Sequence, residues 1–357
     1  MTNRLKQSYW ELSRRANEWK SILLGRDKTF RSLVLSQRFR SPTTITPIKG
    51  ESGERAAAAV RWLLAGQDAT LDGGVSYGYF PLSAGWEVSY PETTGYIITS
   101  LVAYARRSGQ TDLIDRAHRM AQWEADIQMS NGAVQGGKLT TRERQTPAAF
   151  NTGMVLDGFV SLLEQRSDSA ITLAAEKGAE FLVADIDSRG LFRTNGEFVS
   201  ADPIKIYNVL CAWALHRLGK LTGTVRYEQS AVRAVEGALK YQQGNGWFSH
   251  NCLSDPLRPL THTIGYTMQG VLEVGISSGR EDFVSASERC LLGILPSIGA
   301  NGALPGQLDS HWNPAARWVC LTGSAQIAIV AYRLAELLGK QEYAIAADRL
   351  VDFLKAV

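Results

Sequence analysis

The sequence predicts an all-α fold, an (α/α)6 toroid of helical hairpins with its long loops on one face. Three observations carry that expectation: a local motif that recurs at a near-constant interval, two helix types that alternate, and connections that alternate between short and long.

The motif sets a glycine in the first turn of an apolar helix. It is plainest at WEVSYPETTGYIITSLVAY (86–104), where an aromatic, acidic loop runs through Pro91 into Thr94-Gly95. Phe150-Asn151-Thr152-Gly153 opens MVLDGFVSLLEQ, and Tyr207-Asn208 opens VLCAWALHRLG. His262-Thr263-Ile264-Gly265 opens YTMQGVLEVG, and Leu321-Thr322-Gly323 opens SAQIAIVAYRLAELLG. Counted from Gly95 through Gly153, Asn208, Gly265 and Gly323, the intervals are 58, 55, 57 and 58 residues. A fixed period with a fixed motif marks repeated units, each too small to bury its apolar face alone.

Segments 54–66, 112–128, 169–186, 225–243, 280–295 and 341–357 have another character. Their apolar residues recur every three or four positions, with charges opposite, as in half-exposed helices. The glycine-motif helices are apolar nearly all round and belong inside. Six outer and five inner helices follow, and YWELSRRANEWKSILLG (9–25) is the expected sixth inner one.

The repeat runs to the C-terminus, so 51–357 reads as one toroid domain behind a basic arm, 1–50. Residues 1–50 carry 11 Lys/Arg against 3 Asp/Glu, within a chain of net charge +3. With Tyr9, Trp10 and Trp19, this arm offers a contact for an anionic membrane surface or a synthase complex. The plainer alternative packs 9–25 on the toroid and leaves 26–50 solvated. No apolar run reaches the roughly 18 residues of a membrane span, and MTNRLKQSYWE lacks a signal core. Four cysteines, Cys211, Cys252, Cys290 and Cys320, are scattered as free thiols are. A cytoplasmic protein is expected, at most at the inner face of the membrane.

Connections from inner to outer helix are short and polar, as in RRSGQTD (106–112). Those from outer to inner helix, 67–93, 129–149, 187–205, 244–261 and 296–318, are long. Long loops in a compact domain more often carry function. In a toroid all five emerge around the mouth of the central cavity. Turns at Asn131-Gly132, Arg189-Gly190, Asn245-Gly246 and Asn301-Gly302 read as small rim hairpins. Trp86, Tyr90, Trp247 and Trp312, beside His250, Asn251, Asp309 and the repeat's Asn208, are the candidate substrate-binding residues. Flat aromatic faces next to polar groups grip sugars, and Trp86, Trp247 and Trp312 are expected to line one cleft. The competing structural reading makes such aromatics small loop cores.

The candidate catalytic residues are His262, Tyr266, Glu92 and Arg317. His262 and Tyr266 are four apart, hence on one helix face. With an arginine they could take a proton α to a carboxylate and hold the resulting anion. Glu92 with a further loop carboxylate would instead suit glycoside hydrolysis. Each has a structural alternative, a packed core histidine and a helix-dipole carboxylate. No metal or cofactor is expected; His250, Cys252, Asp255 and His262 match no strong zinc spacing. Phosphate loops, nucleophile elbows, C-x-x-C pairs and nucleic-acid motifs are absent from the sequence. Asp185-Ile186-Asp187-Ser188 only glances at a class II terpene cyclase motif, so terpenoid or prenyl chemistry ranks last.

SYPETTGYII (89–98), NGWFSHNC (245–252), PLTHTIGYTMQGVLEVG (259–275) and PAARWVCLTGSAQIA (314–328) resemble the bacterial VpsJ-like polysaccharide biosynthesis family over roughly 50–357. The resemblance implies a six-hairpin toroid in the company of sugar epimerases, polysaccharide lyases and glycosidases, and an exopolysaccharide context. It also implies F-D-T-G-Q at 150–154, where Asn151 and Met154 depart; an asparagine cannot act as acid or base. The expected function is acid–base chemistry, lyase or epimerase, on a uronic-acid-containing or lipid- or nucleotide-linked glycan. A glycoside hydrolase and a non-catalytic glycan-binding accessory protein are the alternatives.

Overall fold

The glycine motifs and the amphipathic segments all become helices. A computed structural model describes residues 42–49, 52–80, 85–196 and 202–357, with the single positions Ala16 and Lys20. The helix expected at 9–25 and the arm before residue 42 otherwise lie outside the described residues. The eleven described helices are α1 (Gly53–Asp68), α2 (Pro91–Ser108), α3 (Asp112–Ile127), α4 (Ala149–Leu163), α5 (Ser169–Asp185), α6 (Leu210–Thr222), α7 (Val225–Leu239), α8 (Thr261–Ser278), α9 (Glu281–Ile294), α10 (Leu321–Leu338) and α11 (Gln341–Ala356). One short antiparallel ribbon, β1 (Tyr79–Phe80) with β2 (Gly85–Trp86), pairs Tyr79 with Trp86.

Successive inner helices pack side by side in the order α2, α4, α6, α8, α10, and each is backed by the outer helix that follows it. Burial matches the two sequence types. Helix α4 buries every residue except Phe150, Asp157 and Leu163, whereas α3 buries only the stripe Leu113, Ala117, Met120, Ala121, Trp123 and Glu124. The fold is an all-α toroid with five inner helices among the described residues.

The Thr-Gly pair explains itself in the packing. Thr94 Oγ1 accepts from Val75 N at 3.0 Å and donates to Tyr90 O at 2.8 Å, tying the incoming loop to the first turn. Thr152 does the same with Val134 N and Ala148 O, at 2.9 and 2.8 Å. The glycine beside it lets the next inner helix approach: a Cβ on Gly153 would stand 2.4 Å from Cys211 Sγ and 2.9 Å from Cys211 Cα. Deeper in the ring the inner helices are cross-braced by ion pairs. Arg217 meets Asp157 at 2.5 Å and Glu164 at 2.8 Å, and Arg333 grips both oxygens of Glu273 at 2.9 and 3.0 Å.

Helix α1 departs from the outer-helix pattern. It fully buries only Gly66 and Gln67, and its last turns bond to the start of α3 through Gln67 Nε2 to Arg116 O and Arg116 Nη2 to Leu64 O. Its first turns, at Glu54 and Ala58, share a surface depression with Lys355 at the end of α11. No helix among the described residues is long and apolar enough to cross a membrane.

Candidate active site

The five long loops are knitted together in chain order around one mouth. Lys138 Nζ meets Glu87 at 2.7 Å, and Ala148 bridges Asn195. His250 Nδ1 meets Asp202 at 2.9 Å, and Asn245 Nδ2 donates to Ser310 O at 2.8 Å. A cavity of ≈ 260 Å³ opens at this mouth. Its lining comprises Tyr77, Tyr90, Glu92, Thr93, Ala148, Phe150, Asn151, Asn195, Tyr207, Asn208, Leu253, His262, Thr263 and Tyr266. Loops 67–93, 129–149, 187–205 and 244–261, the first turns of α2, α4 and α8, and the 3-10 turn Ile206–Val209 that precedes α6 all contribute.

Two pairs of side chains face each other here. Glu92 and Tyr96 lie one turn apart on α2, and His262 and Tyr266 one turn apart on α8. Two inner helices, α4 and α6, separate α2 from α8 along the ring, so the pairs come from opposite walls. The Tyr96 and Tyr266 rings stack with centroids 6.2 Å apart and planes 7° from parallel. The His262 ring stands edge-on to Tyr266 at 4.9 Å. Glu92 and His262 therefore sit one turn nearer the mouth than the stacked tyrosines. Phe150 fills the angle between them, 4.9 Å from Tyr266 and 5.3 Å from Tyr207.

Burial sets the charge states. With no ion-pair partner among the described residues, the Glu92 carboxyl is pushed up to about 7 by desolvation. Desolvation drives the His262 imidazole down from its ordinary value. Tyr266 is pushed up to about 12, chiefly by burial, and Tyr96 and Tyr207 rise for the same reason with the Glu92 charge adding to it. Desolvation thus favours the uncharged form of each, and at neutral pH both uncharged forms are available.

Two buried amides complete the lining. Asn151 Nδ2 donates to Gln135 O at 3.1 Å, and Asn208 Nδ2 donates to Asn195 Oδ1 at 2.9 Å. Asn208 Oδ1 is buried and accepts no hydrogen bond among the described residues. Asn208 does not open a regular helix: it lies in a 3-10 turn, Ile206–Val209, that feeds α6.

Of the residues singled out in the sequence, His262, Tyr266, Glu92, Tyr90 and Asn208 come together in this cavity. The others do not line it, each for a visible reason. Arg317 is exposed on the 296–318 loop. Trp247 and Trp312 pack edge-to-face at 5.1 Å, with Trp312 Nε1 donating to Asn245 O, and so form a small loop core. Trp86, on the β1–β2 ribbon, meets Trp62 at a tilt of 47° and its strand partner Tyr79 edge-on. The single cleft expected for the three tryptophans is therefore not formed. Asp309 closes its own turn by accepting from His311 N and Asn313 N at 2.9 Å each. His250 is held by Asp202, and buried Asn251 anchors α8 by accepting from Thr263 and Thr267. Tyr96, Phe150, Asn195 and Tyr207 were missed. The signal for one of them lay in the repeat: Glu92 and Tyr96 occupy the same places relative to Gly95 as His262 and Tyr266 relative to Gly265.

No protein-family model and no curated protein matches the sequence. Solved structures do match the fold. One is an unsaturated glucuronyl hydrolase specific for heparin, 16% identical over 84% of this chain and 83% of that one, with TM-score 0.69. A D-mannose isomerase is 12% identical over 85% and 86%, with TM-score 0.64. The cellobiose 2-epimerase of Bacillus thermoamylovorans B4167 is 12% identical over 75% and 72%, with TM-score 0.53. At these identities the likeness is one of architecture, and the chain shares the α/α-toroid fold of these carbohydrate-active enzymes.

Proposed function

We propose that the protein is a carbohydrate-active enzyme that works by acid–base chemistry in the central cavity, most simply as an epimerase or isomerase. The observation that carries this reading is the placement of Glu92 and His262 on opposite walls of one aromatic-lined cavity. Inverting a C–H centre needs a base on one face of the carbon and an acid on the other. Neutral His262 takes the proton from a carbon next to a carbonyl. The Tyr266 hydroxyl, in the cavity lining, donates to the oxygen that gains charge. Protonated Glu92 returns a proton from the opposite face, so the proton count balances. Sugar epimerases and isomerases among the fold neighbours support the same class. The VpsJ-like phrases support a place in exopolysaccharide production.

Hydrolysis by paired carboxylates has less support, because Glu92 is the one carboxyl among the described lining residues. The test is incubation with reducing hexoses and disaccharides in D2O, followed by proton NMR. Deuterium should enter the sugar, and His262→Ala and Glu92→Gln should each slow uptake by about 10²–10⁴-fold. Release of new reducing ends without deuterium uptake would replace this reading with hydrolysis.

A further inference from the structure

The donors and acceptors of the cavity specify more than a reaction type. Both buried amides are oriented by bonds that use their nitrogens, from Asn151 to Gln135 O and from Asn208 to Asn195 Oδ1. Among the described residues the buried acceptor left without a donor in this wall is Asn208 Oδ1, on a side chain only 2% exposed. A buried acceptor left without a donor is unfavourable, so a fitting ligand brings an O–H or N–H to that point. Glu92 is the one carboxyl among the described lining residues, and once charged it only accepts hydrogen bonds.

Cations are kept behind the wall. No Lys or Arg is among the described lining residues. Lys138 is paired with Glu87 while lying over the Tyr77 ring at 5.1 Å. Lys205 Nζ donates to the Leu253 carbonyl at 2.8 Å. Neither PLSA (81–84) nor EFVSA (197–201) contains a basic residue. The cavity's ≈ 260 Å³ falls near the lower end of ligand pockets, about 300–1,000 Å³, and suits one sugar ring rather than a chain.

We infer that this cavity takes an uncharged sugar ring and rejects its uronate counterpart, and that Asn208 is the residue that reads a ring hydroxyl. The inference rests on the carbohydrate reading above and narrows it. A hexose offers hydroxyl donors to Asn208 Oδ1 and apolar C–H faces to Tyr207, Phe150 and Tyr266. A uronate replaces a hydroxymethyl group with a carboxylate, which would enter a cavity that holds the Glu92 carboxyl and, among the described lining residues, no Lys or Arg to offset its charge.

Matched pairs differing only at that carbon make the test: D-glucose with D-glucuronate, D-mannose with D-mannuronate, and D-galactose with D-galacturonate. Each is titrated against the full chain by ligand-observed NMR at pH 8 and pH 5.5, with circular dichroism as the folding control. At least one neutral sugar should bind, and its uronate should bind about 10-fold or more weakly at pH 8. The gap should narrow at pH 5.5, where Glu92 is protonated, and in Glu92→Gln at pH 8. Asn208→Ala should weaken the neutral sugar by about 10-fold. Uronates that bind as tightly as their neutral partners would overturn this inference and leave the carbohydrate reading standing. Binding of neither class by the folded protein would overturn both. Unchanged affinity in Asn208→Ala would remove that residue's assigned role.

Discussion

Among the described residues, half-buried Glu92 and fully buried Glu124 are carboxyls without an ion-pair partner, and both are held above the ordinary carboxylate value by desolvation. Glu124 has neither oxygen hydrogen-bonded among the described residues. For such a group the folded state prefers the proton. Its favourable contribution is complete below about pH 4.5 and is lost as pH rises toward the folded value, about 7 for Glu92. The loss from Glu92 alone is about 3 kcal/mol. Thermal melts should therefore show the wild type less stable at pH 8 than at pH 5. Glu92→Gln and Glu124→Gln should each recover part of the difference at pH 8 and little at pH 5. Only Glu92→Gln should also lose turnover, because Glu124 does not line the cavity. A profile that is flat between pH 5 and pH 8 would contradict both assignments.

Among the elements, the Thr-Gly pair governs how α2 and α4 begin. Its threonine fastens the incoming loop and its glycine admits the next inner helix. Gly153→Ala should cost about 1–3 kcal/mol through overpacking against Cys211, seen as a lower urea midpoint with unchanged slope. Thr152→Val should cost about 1–3 kcal/mol, because Val134 N then loses its buried acceptor. In the third unit the motif reads Tyr207-Asn208, and there the helix entry opens as a 3-10 turn with its asparagine at the cavity wall. The same position thus packs the ring in four units and faces the cavity in one. The helix ranges were legible because they rest on local periodicity: 169–186 was expected and Ser169–Asp185 found, 225–243 expected and Val225–Leu239 found. Helix α1 was only half legible. Its alanine-rich run marks a helix, but its place across the ends of α3 and α11 depends on residues about fifty and three hundred positions away.

At the scale of the molecule, the loop tryptophans separate stability from function. Trp312 fills a small core with Trp247 and caps Gly293, remote from the lining residues. Trp312→Ala should lower stability by about 3–5 kcal/mol while the Kd for a bound sugar stays unchanged. A weakened Kd in a folded variant would return Trp312 to the site. By itself the sequence determined the period, the two helix classes, the toroid and the residues His262, Tyr266, Glu92, Tyr90 and Asn208 as candidates. All of these follow from spacing within a few helical turns or from the count between units. Tertiary structure alone decided which aromatics line the cavity and which pack on each other, and that Arg317 stands outside. It also decided that Glu92–Tyr96 and His262–Tyr266 face one another. Closing the ring brings residues some 170 positions apart to one stacked tyrosine pair, and no local pattern encodes which walls end up opposite.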